Sequence, residues 1–169
     1  MVRIATLAMA LHLGLGVATQ AQEATRAFSP AATESCIAQG GGEACIGASA
    51  TACMDATPGG YSTYGMNLCI GAERDWWDAA LNAAYRDLMA REAAADKELG
   101  RQLHGMERPS GVESLREVQR AWILWRDTTC DYEMLQWFGG TGAGGARLGC
   151  EMRLTGQQAL WLRGELVAD

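Results

Sequence analysis

The residues able to do chemistry in this chain of 169 residues are six cysteines, at positions 36, 45, 53, 69, 130 and 150, and two histidines, at 12 and 104. No two cysteines stand in a C-x-x-C pair, the spacing used by zinc knuckles and thioredoxin-like redox sites. His104 lies in the polar stretch Arg101-Gln102-Leu103-His104-Gly105, shortly before Pro109, and any Ser-His-Asp or Cys-His relay would have to be built on it. That setting reads as a solvent-facing loop histidine. The spacing of the carboxylates suggests no cleft holding the acid pair that glycoside hydrolysis needs. The expectation is therefore no catalytic residue, no metal and no cofactor. An even number of cysteines points instead to structural disulfides, provided the chain leaves the cytoplasm.

The first residues supply that condition. Met1-Val2-Arg3 is a short positive start, Ile4 to Val17 is largely apolar, and Ala18-Thr19-Gln20-Ala21 offers small residues for cleavage after Ala21. This is the pattern of a secretory signal peptide over residues 1–21. An apolar stretch of about 14 residues is too short for a bilayer span of about 20. No membrane anchor is expected after cleavage, and the predicted location is periplasmic or secreted. Cleavage removes Arg3 and His12, so the 14 basic residues become 13 against 20 acidic ones and the net charge moves from −6 to −7. That balance leaves no broad cationic face for phosphates, so nucleic acid is not an expected partner. Charged residues at 20% and hydrophobic ones at 49% are compatible with one ordinary globular core.

The elements that must position these residues read as helices. Residues 22–68 form a Cys- and Gly-rich N-terminal segment, with a short helix expected from about Glu43 to Met54. A structured loop through Thr57-Pro58-Gly59-Gly60 and Tyr61-Ser62-Thr63-Tyr64-Gly65-Met66 follows it. From about Leu68 to Leu99, Trp77, Leu81, Tyr85 and Leu88 recur at helical spacing, with Glu73, Arg74, Asp78, Arg86 and Asp87 assigned to the surface. Ser110 with Glu113 has capping-box spacing for a third helix. Its apolar stripe is Leu115, Val118, Trp122, Trp125 and Thr129, and it runs to about Trp137. Residues 139–149 contain six glycines and predict a non-helical loop. Met152, Leu154, Leu160, Trp161 and Leu166 suggest a last helix after Cys150. The predicted fold is all-α, a small disulfide-stapled antiparallel helical bundle of three to four helices.

Two segments carry a family resemblance. Asp78-x-x-Leu81-Asn82-x-x-Tyr85-x-x-Leu88 and Gln119-x-x-Trp122-x-x-x-Arg126-Asp127-x-x-Cys130 are followed in order by Gly139-Gly140, Cys150 and Leu154-Thr155. This series resembles the lysozyme-inhibitor LprI-like family, over about residues 69–166, and residues 69–169 are read as its helical domain. One departure is Gln158, where the family usually carries arginine. The signature side chains read mainly as architecture. Asp78 and Asn82 share one side of their helix beside the Trp77–Leu81–Tyr85 stripe. Arg126 and Asp127 sit beside Trp122, and an antiparallel packing of these two helices would let Arg126 reach Asp78, or cap backbone carbonyls, and Gln119 bond across the seam. Such a buried pair must be fully hydrogen-bonded.

Six cysteines allow fifteen pairings. Cys130 and Cys150 flank the glycine-rich loop and form the first expected bridge; Cys53 and Cys69 flank the Pro-Gly-Gly turn, which leaves Cys36 with Cys45. The resemblance implies an exported, non-enzymatic binding protein that docks on lysozyme and shields peptidoglycan. Common lysozymes are cationic, so an acidic partner would be steered toward them. The alternative is a cell-envelope interaction module with another protein partner. Arg147, the one charged residue between Gly139 and Gly149, is a candidate docking residue on the clamped loop. Tyr61, Thr63 and Tyr64 form a second candidate contact surface.

Overall fold

The computed structural model describes residues 28–102 and 109–164. The expected signal peptide, His104 and Leu166 lie outside them. Five α-helices are present among the described residues: α1 (Ala31–Ala38), α2 (Ala48–Ala56), α3 (Thr63–Gln102), α4 (Gly111–Leu135) and α5 (Ala143–Arg163), with a 3-10 turn at Gly42–Cys45 between the first two. The fold is all-α, and no strand occurs among the described residues. Three disulfides join Cys36 to Cys45, Cys53 to Cys69 and Cys130 to Cys150.

The three long helices make the bundle, and α5 is its central member. Cys150, Leu154, Thr155, Gly156, Gln158, Ala159, Leu160 and Leu162 are all buried, so α5 is enclosed on most of its circumference. It packs most extensively on α3, next on α4, and also touches the 3-10 turn. On α3 the inward side is Gly65, Cys69, Glu73, Trp77, Leu81 and Ala84, a repeat of four residues for most of its length. Trp77, Leu81 and Ala84 meet Leu115 of α4 and Ala159, Leu160 and Leu162 of α5 in one apolar cluster, against which Tyr85 and Trp122 also pack.

Several expectations need correction. Residues 143–149 are helical, so α5 begins seven residues before Cys150 and the loop after α4 is short. Glycine costs about 1 kcal/mol per residue in a helix interior; close packing calls for it at Gly156, and Gly145 lies against the Asn67 amide, whereas Gly149 has open space beside it. A Cβ on Gly145 would stand 2.8 Å from Asn67 Oδ1 of α3, and one on Gly156 would stand 2.8 Å from Ile46 Cδ1 and 3.2 Å from the Trp77 ring. Small residues thus let α5 approach α3 and the N-terminal segment. At the other end α3 starts at Thr63, so Thr63 and Tyr64 belong to its first turn rather than to a loop. Ser62 supports that start by accepting the Gly65 amide at 3.1 Å. On α4, Val118 and Trp125 face solvent; the inward stripe is Leu115, Gln119, Trp122 and Cys130.

The N-terminal segment contains α1, which periodicity did not reveal, and it is fastened to the bundle by Glu73. This side chain, assigned to the surface from sequence, has no solvent exposure. Its Oε1 accepts from Thr33 Oγ1 at 2.9 Å, Gly47 N at 2.8 Å and Trp77 Nε1 at 3.1 Å, and its Oε2 accepts from Ala50 N at 2.5 Å. Gly47, with φ 99°, is the N-cap of α2 and has no side chain to cap it, so a carboxylate from α3 takes that role. The opposing charge of the helix N-terminus adds to the hydrogen bonds. Thr33 and Ser49 complete the joint by exchanging amide-to-hydroxyl bonds at 3.0 and 3.1 Å.

Asp96 does the same for α4. Its carboxylate accepts from Gly111 N at 3.0 Å, Val112 N at 3.2 Å and Ser110 Oγ at 2.7 Å. Ser110 in turn accepts the Glu113 amide, the bond that the capping spacing predicts. A carboxylate from the preceding helix therefore fixes where α4 begins.

Candidate functional site

An open polar cleft of about 360 Å³ lies where α3, α4 and α5 come together, lined by Arg74, Asp75, Asp78, Arg126, Asp127, Arg147 and Glu151. Helical spacing explains the grouping. Arg74 and Asp78 are four apart on α3, as are Arg147 and Glu151 on α5, so each pair shares one side of its helix. The Cys130–Cys150 bridge lies between adjacent members of the site. Cys130 is next to Asp131 and one turn beyond Arg126, and Cys150 is next to Glu151, so the bridge sets the register of α4 against α5.

An ion-pair network fills the cleft wall. Glu151 Oε2 binds Arg74 Nη1 at 3.0 Å and its Oε1 binds Arg147 Nε at 2.8 Å, joining α3 to α5. Arg147 also pairs with Asp131, joining α5 to α4. Arg126 donates from Nε and Nη2 to Asp127 Oδ1 at 2.9 and 2.8 Å and lies 4.9 Å over the Trp122 ring, a cation–π contact. Arg74 Nε is 2.9 Å from Asp75 Oδ1 but lacks the alignment of a hydrogen bond, so that pairing is electrostatic only.

The structure brings some of the expected site residues together and separates others. Asp78, Arg126, Asp127 and Arg147 share the cleft. Asp78 is exposed and accepts from Asn82 Nδ2 at 2.9 Å within its own helix, while Arg126 turns to Asp127 and Trp122. The expected buried Asp78–Arg126 pair is not formed, because each side chain finds its partner on its own helix at the open cleft. Gln119 does bond across a seam, but to α5: its Oε1 accepts from Gln158 Nε2 at 3.1 Å, and both side chains are buried. Leu81 is buried and Tyr85 partly buried in the core. Arg147 is a helical residue engaged by two carboxylates rather than a free cation on a loop. Tyr61, Thr63 and Tyr64 do not line the cleft; they form an exposed patch at the start of α3, where Tyr61 Oη donates to Asp55 Oδ1 at 2.6 Å. That hydrogen bond, with slight desolvation and the Asp55 charge, holds the Tyr61 phenol above its ordinary pKa.

The sequence reading missed Arg74, Asp75 and Glu151, and it missed the cleft itself. The signal was present in the four-residue spacings of Arg74 with Asp78 and of Arg147 with Glu151. What was lacking was the knowledge that α5 begins before Arg147. Chemically, three guanidiniums and four carboxylates interleave around the opening. Such a surface recognises a charged partner by complementary placement of both signs. No group of His, Cys, Asp and Glu among the described residues is arranged to hold a metal.

The lysozyme inhibitor LprI family model matches residues 53–162, more than half of the chain. The chain belongs to the LprI family. The match runs from Cys53 to Leu162 and takes in α3, α4, all of α5 but its last residue, and every cleft residue. An uncharacterized protein of Rhizobium meliloti (strain 1021) is 33% identical over 98 residues, covering 58% of this LprI chain and 69% of the relative. An uncharacterized 17.7 kDa protein of Rhodobacter capsulatus, from the puhA 5′ region, is 27% identical over 123 residues, covering 70% and 72%. No solved structure matches the chain. Among the described residues no helix is long and apolar enough to cross a membrane.

Proposed function

We propose that this LprI protein is an exported inhibitor that binds a lysozyme through the polar cleft and shields peptidoglycan from hydrolysis, acting by occupation rather than by catalysis. The observation that carries the reading is the placement of Asp78, Arg126 and Asp127. They belong to the segments that resemble the family signature, yet they stand on an open cleft where the core does not need them. Polar residues committed to helix register would be buried and mutually bonded; Asp78 is exposed and, among the described residues, bonds within its own helix. Arg126 and Arg147 stand at the cleft already paired with this chain's own carboxylates, and the network that holds them lowers the ordering cost of binding a partner that carries charges of both signs. The net charge of −6 on the full sequence favours encounter with a cationic enzyme. Tyr61, Thr63 and Tyr64 supply a second contact surface outside the cleft.

The test is a cell-wall lysis assay with purified protein, expressed with its full N-terminal sequence so that any processing takes place. Lysozyme should be inhibited by the wild type and less well by Arg126→Ala and by Arg147→Ala, with helicity unchanged. Equal potency of all three proteins removes the cleft from the mechanism. If lysozyme is not inhibited at all, capture by a different envelope protein becomes the reading to pursue.

A further inference from the structure

Helix α4 has a second apolar side that none of the described residues covers. Val118, Ala121, Trp125, Thr128, Tyr132 and Leu135 recur at intervals of three and four residues and all face solvent; Trp125 is 53% and Tyr132 64% exposed. Leu124, 70% exposed, widens the stripe, and a shallow groove of about 580 Å³ runs along it. The helices that pack on α4 are α5 and α3, which meet its other side through Leu115, Gln119, Trp122 and Cys130. The alternation of three and four is the seam of one helix lying against another.

We propose that this seam pairs with a second copy of the chain, α4 against α4, in an antiparallel two-fold arrangement. The order of side chains favours that occupant. A two-fold axis at the middle of the stripe sets Ala121 of one copy against Tyr132 of the other, Thr128 against Trp125 and Val118 against Leu135. Each bulky side chain then meets a smaller one. A parallel pairing would instead oppose Trp125 to Trp125 and Tyr132 to Tyr132. Charge agrees with packing. Arg120 and Asp131 are about three turns apart on the same flank of the stripe, nearly symmetric about its middle, so the antiparallel pair brings each Arg120 to the other copy's Asp131. Arg120 is exposed and has no ion-pair partner among the described residues, whereas Asp131 is 53% exposed beyond its contact with Arg147. A cationic partner would be matched by a uniformly acidic flank; this one carries both signs in the order that a copy of itself complements.

A contact made by one helix side of each copy lies at the small end of specific interfaces, below about 1,200 Å², so the dimer should be concentration-dependent with Kd on the order of micromolar. Sedimentation velocity on the purified protein, from low micromolar to several hundred micromolar (a range of about two decades around that Kd), is the test. The weight-average mass should rise toward twice that of the monomer. Trp125→Glu, at an exposed position, should stay monomeric throughout with wild-type helicity. Arg120→Asp removes both symmetry-related charge pairs and should weaken association by about tenfold or more, and Arg120→Asp combined with Asp131→Arg should restore it. A wild type that stays monomeric, a Trp125→Glu variant that still dimerises, or a double variant no tighter than Arg120→Asp overturns the proposal. A monomeric wild type whose lysozyme binding is lost in Trp125→Glu also overturns it, and assigns the stripe to the enzyme.

Discussion

Thr33 Oγ1 donates a 2.9 Å hydrogen bond to Glu73 Oε1 across 40 positions of sequence, and neither side chain touches solvent. With Gly47 N, Ala50 N and Trp77 Nε1 bound to the same carboxylate, one side chain of α3 closes the N-terminus of α2 and holds α1 against the bundle.

Replacing Glu73 should therefore be costly in a graded way. Glu73→Ala takes the acceptor from four donors, of which Thr33 Oγ1, Ala50 N and Trp77 Nε1 are buried, and a loss of about 3 kcal/mol or more is expected at about 1–3 kcal/mol for each group left unsatisfied after relaxation. Glu73→Gln keeps an oxygen for three of the donors and opposes an NH2 to the Ala50 amide, so its cost should be about 1–3 kcal/mol. Urea unfolding measures both. A change below about 1 kcal/mol for Glu73→Ala would contradict the hub.

The Cys130–Cys150 bridge closes a loop of 20 residues at the edge of the cleft. The loss of loop-closure entropy in the unfolded chain is worth about 3 kcal/mol for a loop of this size. A Cys130→Ser, Cys150→Ser double variant should lose about that much stability, and amide exchange should speed up selectively around Trp137–Ala143. Uniform exchange throughout the chain would show that the bridge does not act locally.

Gln119 and Gln158 form a buried pair that a double-mutant cycle can isolate. Gln158→Leu alone leaves Gln119 Oε1 without its donor and should cost about 1–3 kcal/mol, while Leu at both positions should cost less than that single change. Additive costs would mean that the bond contributes nothing.

Tyr61 gives a pH signature. Its hydrogen bond to Asp55 favours the protonated phenol, so its folded pKa lies above the ordinary value. The associated stabilisation is present below the ordinary tyrosine pKa and is lost as pH rises through the raised one. An ultraviolet titration, compared with Tyr61→Phe to single out this phenol, should show late ionisation that Asp55→Ala moves back down. An unchanged titration in Asp55→Ala would rule out that cause.

How much of this was legible depended on whether local signals and packing agreed. The Trp77–Leu81–Tyr85 spacing and the Ser110 cap marked α3 and α4 because helix propensity, pattern and burial coincide there. The start of α5 was hidden because local propensity at Gly142, Gly144, Gly145 and Gly149 opposes the helix that close approach to Asn67 and the Cys130–Cys150 bridge require. Glu73 was hidden because a charged residue in an acidic chain reads as surface until three donors from the N-terminal segment join the Trp77 indole on it. The two sides of α4 were confused for a related reason. Val118 and Trp125 are as apolar as core residues, and only the position of α5 shows that they point away from it. The polar signature residues were visible as a motif, but their gathering on a cleft depended on the register of three helices.

Calorimetric titration of lysozyme with the purified protein shows whether the cleft engages the enzyme. The wild type should bind saturably and one-to-one, with affinity reduced at least about tenfold, or about 1.4 kcal/mol, in Asp78→Arg and in Arg126→Ala. Both variants should keep wild-type helicity, since neither residue is buried in the core. Undiminished affinity in both variants, or no heat of binding from the wild type, would contradict engagement at the cleft.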